Sequence, residues 1–178
     1  EKGYRSIAII LMHADRYSAH ETRLKDIAKE IGYSQISVSH EILPLMKIVG
    51  RGDTTIADAY LSPILRKYVK QVSDELQFEK THSRLMFMSS HGGLTPATLF
   101  QGRDAILSGP AVGVVGAVKT ASKAGFEKII GFDMGGTSTD VSRFGNRFEF
   151  EYETEKAGVR IVAPMMAIET VAAGGGSV

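Results

Sequence analysis

The sequence predicts an α/β protein, and three observations carry that prediction. Ser6–Met12 is a continuous apolar run, the pattern of a strand buried on both faces. A helical-period segment follows it, and an alternating segment, Gln35–Ser39, then completes a strand–helix–strand unit. A second series, an apolar strand, a small-residue helix and another apolar strand, occupies residues 84–133.

Within the first unit, Ser18 followed by Glu21 has capping-box spacing. Leu24, Ile27, Ala28 and Ile31 recur at helical spacing up to Gly32, a C-cap residue type. An apolar patch follows at Ile42, Leu43, Leu45 and Met46. From Asp53 to Leu76 a longer helix is expected. Ile56, Tyr60, Ile64, Tyr68, Val72 and Leu76 recur every four residues, and Leu61 and Leu65 widen the stripe. Tyr60 and Tyr68 are expected in core or half-buried packing rather than in a ligand cage. Pro63 lacks an N–H and crowds the turn before it, so a kink or break is expected near Ala59–Ser62. Residues 77–83 are polar and read as a connector.

The second half opens with a strand at Arg84–Met88 and a glycine turn at Ser89–Gly93. Pro110 suits the first helical position, and Ser108-Gly109-Pro110-Ala111 opens an expected helix through Ala124, stopped by Gly125. Gly109, Gly113, Gly116 and Ala117 lie three and four apart on it. Each interior glycine costs about 1 kcal/mol relative to alanine, so this face needs a compensating close contact. A neighbouring helix or strand would supply it, as would a phosphate at the helix start. Further strands are expected at 128–132, 140–144, 147–153 and 159–162, with Gly145-Asn146 as a tight hairpin turn. Glu149, Glu151 and Glu153 alternate with Phe148, Phe150 and Tyr152. That acidic face reads as solvated, because metal ligands converge from different elements.

At 178 residues the chain can bury one sizeable core or two small ones. A net charge of +1 with dispersed Lys and Arg leaves no electrostatic footprint for nucleic acid. No apolar run has the length of a membrane span, and no signal peptide is evident. With no Cys there is neither a disulfide framework nor a thiolate metal site, which accords with a cytoplasmic protein. His13, His20, His40 and His82 lack metal-ligand spacing. The opening at Glu1 and the stop within Ala172–Val178, a glycine loop, read as a piece of a longer polypeptide.

Residues 131–140, GFDMGGTSTD, carry the chemistry. An apolar run delivers Asp133 to its end, Gly135 and Gly136 turn the backbone, and Thr137, Ser138 and Thr139 bring hydroxyls before Asp140. Adjacent glycines let backbone N–H groups converge on a phosphate without a Cβ in the way. A carboxylate at the strand end can hold Mg²⁺ or position water. Glycine and aspartate also dominate ordinary turns, but a plain turn does not call for this whole constellation. The dinucleotide fingerprint and the P-loop both fail on spacing.

Four segments, in order, resemble the hydantoinase A/5-oxoprolinase family: Gly50-Arg51-Gly52-Asp53-Thr54-Thr55 before the long helix, Ser108-Gly109-Pro110-Ala111, Phe132–Val141 and Thr170–Ser177. The resemblance covers essentially the whole chain. It implies the actin/sugar-kinase/Hsp70-type ATPase fold, two ribonuclease-H-like α/β halves with mixed sheets facing each other across a nucleotide cleft. The fold would be partial here. Residues 1–76 would end the first half and add the long connecting helix, and residues 84–178 would begin the second, with the phosphate loop at 133–140. The loop matching the first half's is absent from residues 1–125.

The resemblance further implies an ATP-dependent subunit that phosphorylates the carbonyl oxygen of a cyclic amide, such as a hydantoin or 5-oxoproline, or activates a ketone. A hydantoinase B-type subunit or C-terminal half would complete hydrolysis. Asp133 would be the catalytic carboxylate, contacting Mg²⁺ or its waters. Gly135, Gly136 and Thr137 would cradle the β- and γ-phosphates of ATP, with Ser138 and Thr139 as supporting donors. Ser108 and Gly109 lie where the strand–helix connection would approach the cleft. Asp140 caps the next strand or takes part in catalysis. Gly174–Gly176 approach the ligand or form a tight turn. His91 stands where many relatives carry Asn. The competing reading is a non-enzymatic nucleotide switch of the same superfamily, and these residues alone are expected to bind ATP weakly or not at all.

Overall fold

The computed structural model describes residues 3–77, 84–156 and 158–176. Its elements run β1 (Ser6–Ile9), α1 (Ala19–Ile31), β2 (Gln35–Val38), α2 (Ser39–Ile42), α3 (Ile48–Leu76), β3 (Met86–Met88), β4 (Leu94–Pro96) and α4 (Ser108–Lys123). They continue with β5 (Lys128–Met134), β6 (Thr139–Gly145), β7 (Phe150–Glu151), β8 (Thr154–Lys156), β9 (Val159–Ile161), β10 (Met165–Met166) and β11 (Ile168–Val171). The chain forms two compact units. One comprises Glu1–Leu85, Pro96–Arg103 and Glu153–Ala163; the other comprises Met86–Thr95, Asp104–Tyr152 and Pro164–Val178. Two excursions of the second half therefore belong with the first. Apart from Gln77, the connector read at 77–83 lies outside the described residues.

In the first unit β1 and β2 pair in parallel, Ser6 opposite Gln35 through Ile9 opposite Val38, as a strand–helix–strand unit requires. Ile9, Ala28 and Val38 form the core, with Ile7, Tyr33 and Ile36 packed against them. Gly32 closes α1 in the left-handed region (φ 98°) and donates to the Ala28 and Lys29 carbonyls. The capping box at the other end does not form, since Ser18 makes no side-chain cap. Glu21 is instead fully buried. Its carboxylate accepts from Leu11 N (2.7 Å), Ser39 Oγ (2.6 Å), His40 N (3.0 Å) and His40 Nδ1 (2.7 Å).

Burial pushes the Glu21 carboxyl up, but the bonds from Ser39, His40 and Leu11 outweigh it and hold it below its ordinary value. A carboxyl depressed in the folded state adds stability above its unfolded pKa, about 4.5, and loses it as pH falls through the folded value. Denaturant midpoints are therefore expected to drop as pH is lowered below about 4.5. Glu21→Gln should flatten that part of the profile, and an unchanged slope would refute the assignment.

Helix α3 begins at Ile48, so Gly50-Arg51-Gly52 lies inside its first turns rather than before it. It runs unbroken through Pro63. The expected break does not occur, and within the same turn Ser62 Oγ donates to Asp58 Oδ1 at 2.9 Å. The core expectation for this helix is reversed. Ile56, Tyr60, Ile64, Tyr68 and Leu76 are exposed, whereas Gly50, Arg51, Gly52, Thr54, Thr55, Asp58, Ala59 and Ser62 are buried. A polar face can be buried when every group on it is partnered. Thr54 and Thr55 donate to the Gly50 and Arg51 carbonyls, and Asp58 accepts from Ser37 and Ser62. The β8–β9 hairpin leads onto this face, where Val162 N donates to Thr54 Oγ1 at 2.9 Å. Residues 96–103 dock through Gly102, whose N–H reaches Ser62 Oγ (3.0 Å) and whose missing Cβ would lie 2.8 Å from Leu61 Cβ.

The second unit contains an antiparallel sheet in the order β11-β6-β5, with β7 paired to β10 beside it. Ala111, Met166 and Ile168 form its core, joined by Met88, Val114, Val115 and Phe148. The strand expected at 147–153 is cut short. After one bridge from Phe148 to Phe144 the chain leaves β6, whose free edge is taken by β11 instead. Phe148 stacks edge-on against Phe144 (centroids 5.2 Å apart), while Phe150 and Tyr152 are exposed. Glu149 pairs with Arg143 (2.7 Å).

Candidate functional site

The register of β5 and β6 sets the site. Asp133 is opposite Asp140 and Met134 opposite Thr139, so residues 135–138 form the hairpin tip. Directly opposed residues of an antiparallel pair share a face, which places the two carboxylates side by side. Among the described residues no Lys, Arg or His pairs with either. Thr170 Oγ1 donates to Asp140 Oδ1 at 2.7 Å. The carboxylates line a cavity of about 200 Å³ whose other wall is the small-residue face of α4, with Pro110, Gly113 and Ala117.

That wall answers the question raised by the helical glycines only in part. A Cβ on Gly113 would lie 3.5 Å from Asp133 Oδ2, but at Gly109 and Gly116 it would meet nothing within 4 Å. Ser108 spends its hydroxyl proton on Ala105 O (3.0 Å), and neither Ser108 nor Gly109 lines the cavity. Their neighbour Pro110 does.

At the tip, Gly135 N donates to Ser138 O (2.9 Å) and closes the turn. The N–H groups of Gly136, Thr137 and Ser138 find no acceptor among the described residues. Neither Gly135 nor Gly136 has a positive φ, and a Cβ on Gly136 would touch nothing within 4 Å. Within the described chain, then, neither backbone strain nor packing requires glycine at 136. Close approach by something from outside would.

Behind the tip lies the loop 173–176. Gly175 N donates to Gly135 O and Gly176 N to Gly136 O, both at 2.9 Å. Thr139 is buried, and its hydroxyl donates to Ala173 O at 2.6 Å, so its proton is directed to that loop. Sequence reasoning named Thr170 and Ala173 only as part of the Thr170–Ser177 segment and gave them no role, because nothing local encodes the register of β11 on β6. Among the described residues no cluster of three His, Cys, Asp or Glu side chains could hold a metal, and no helix is long and apolar enough to cross a membrane.

His91 is exposed, and its Nδ1 accepts from Gly93 N at 3.2 Å. An Asn carbonyl oxygen makes the same bond to the N–H two residues on in an Asx turn. His91→Asn is therefore expected to preserve stability, and His91→Leu to cost about 1 kcal/mol in denaturant titration. Equal losses for both would show that the ring does more than close the turn.

The fold and this loop place the chain among mixed α/β proteins with a glycine-tipped hairpin at the end of a sheet. Residues 51–178 match the family model described as Hydantoinase/oxoprolinase, and the chain belongs to that family. It is 44% identical over 189 residues to a 5-oxoprolinase of Dictyostelium discoideum, covering 99% of this chain and 15% of that protein. An acetone carboxylase structure, described as nucleotide-free and solved for the mechanism of ATP-dependent acetone carboxylation, superposes with a TM-score of 0.84 at 27% identity, over 96% of this chain and 25% of that one. The ATP-dependent caprolactamase of Pseudomonas jessenii gives a TM-score of 0.74 at 28% identity, over 89% and 23%.

Proposed function

We propose that the chain is part of the ATP-dependent component of a hydantoinase/oxoprolinase-type enzyme, and that the 133–139 hairpin holds the nucleotide's phosphates. The observation that carries this is the tip itself, where adjacent free N–H groups surround a glycine that the described packing does not require. The relatives support it: a 5-oxoprolinase and an ATP-dependent caprolactamase act on amides, and an acetone carboxylase acts on a ketone. The antiparallel order β11-β6-β5 supports reading the second unit as the start of a ribonuclease-H-like, actin-type half.

Asp133 and Asp140 fit a divalent cation. Two carboxylates opposed across a strand pair repel each other, and a cation relieves that repulsion. Bound Mg²⁺ would neutralise charge on the transferring phosphoryl group. Asp133 would hold the ion or its waters, Thr170 would fix the Asp140 carboxylate, and Gly136, Thr137 and Ser138 would direct N–H groups at phosphate oxygens. The substrate's carbonyl oxygen attacks the γ-phosphorus, the bond to ADP breaks, and the resulting O-phosphate becomes a leaving group for later attack on the carbonyl carbon. A hydantoinase B-type subunit or C-terminal half would supply that second step, in the cytoplasm. Phosphate release by the intact protein with its partner, assayed with ATP and hydantoins, 5-oxoproline or simple ketones, tests the proposal. Stimulation by one of these substrates is expected. Release that none of them stimulates would favour a nucleotide switch.

A further inference from the structure

We infer that the loop Ala173–Gly176 is the positioning element of the phosphate hairpin, orienting its donors without touching the ligand. The inference rests on the phosphate-loop reading above. In a planar trans peptide the C=O and N–H point in opposite directions, so fixing the oxygen also aims the N–H. Gly175 N–H holds Gly135 O, which belongs to the same peptide as the Gly136 N–H. Gly176 N–H holds Gly136 O, which belongs to the same peptide as the Thr137 N–H. Two of the three free donors at the tip are thus aimed from behind.

Two further contacts keep the loop in place. Thr139 Oγ1 binds Ala173 O within a buried setting. Gly174 lies flat against the Gly136–Thr137 peptide, and a Cβ there would be 2.5 Å from both Gly136 C and Thr137 N. An alanine at 174 would therefore push on the very peptide that carries one donor. This backbone-on-backbone packing explains glycine at 174 and at 176, where a Cβ would lie 2.9 Å from Gly136 O, but not at 175, where the nearest atom, Gly135 O, would be 3.8 Å away.

The test compares Gly174→Ala, Thr139→Val and Thr139→Ser in the intact protein, with ATP and adenosine as ligands. Misaimed donors should weaken ATP about tenfold while leaving adenosine unchanged, with the nucleotide-free thermal midpoint of Thr139→Val lowered only slightly. Thr139→Ser keeps the hydroxyl and should retain parental ATP affinity, so the Val/Ser pair decides the question even if Gly174→Ala fails to fold. Parental ATP binding in Thr139→Val would overturn the positioning role and leave the phosphate-loop reading standing. Equal losses for ATP and adenosine would also overturn it, since they would mark a general structural defect. A parent protein that binds no ATP would overturn both.

Discussion

Asp133→Asn in the intact protein is expected to lower substrate-stimulated phosphate release by about 10³-fold, the scale on which loss of one electrostatic stabiliser acts. The same change should leave the thermal midpoint unchanged or slightly higher. Asp133 is exposed and makes no ion pair among the described residues, so the fold gains little from its charge. It is opposed by Asp140 across the strand pair, and neutralising one of two facing carboxylates relieves repulsion. A residue whose removal stabilises the empty fold but stops turnover is kept for function. Release assays and thermal melts on the same preparations provide both readouts. Turnover near the parental rate would remove Asp133 from the chemistry. Lost turnover with a collapsed melting temperature would make its role structural.

The parts of the fold legible in the sequence were those fixed by local chemistry. The strand at Ser6 and the Gly32 stop need no knowledge of distant residues, and the parallel pairing of β1 with β2 follows from the helix between them. The hairpin at 133–140 was legible for the same reason. But the strand expected to reach Met12, buried on both faces, ends at Ile9 with Ser6 and Met12 exposed, and β2, read as alternating, buries Gln35, Ser37 and Val38. What failed depended on distant partners. Ser18 and Glu21 have the spacing of a cap, but groups 10 to 19 residues away from Glu21 outbid the helix terminus for its carboxylate. The apolar stripe of α3 obeys helical periodicity, yet periodicity says only which residues share a face. Side-chain bonds at Thr54, Thr55, Asp58 and Ser62 let the polar face be the buried one. In the candidate site, the hydroxyl of Thr139 looked like a phosphate donor until its partner 34 residues away was in view.

Arg51→Met is expected to destabilise the first unit by about 3–5 kcal/mol, a large part of the stability of an ordinary domain. Arg51 is fully buried, and its guanidinium ties together separate pieces of backbone. It donates to Leu11 O (2.6 Å), Leu45 O (2.6 Å), Met46 O (3.3 Å) and Ser39 Oγ (2.9 Å), and it reaches Asp15 Oδ1 at 3.4 Å. Met fills similar volume, so the loss would come from orphaned carbonyls rather than from a cavity. Arg51→Lys keeps the charge but not the planar fork of donors, and it should recover only a minor part of the loss. Ser39 also donates to Glu21, so Arg51 and Glu21 belong to one network and their effects should not add. Urea titrations of Arg51→Met, Glu21→Gln and the double variant measure that coupling. A loss under about 1 kcal/mol for Arg51→Met would be surface-like and would refute the structural role. Strict additivity would separate the two residues, and the Gly50-Arg51-Gly52 segment would then need another explanation than fastening the loops around the start of α3.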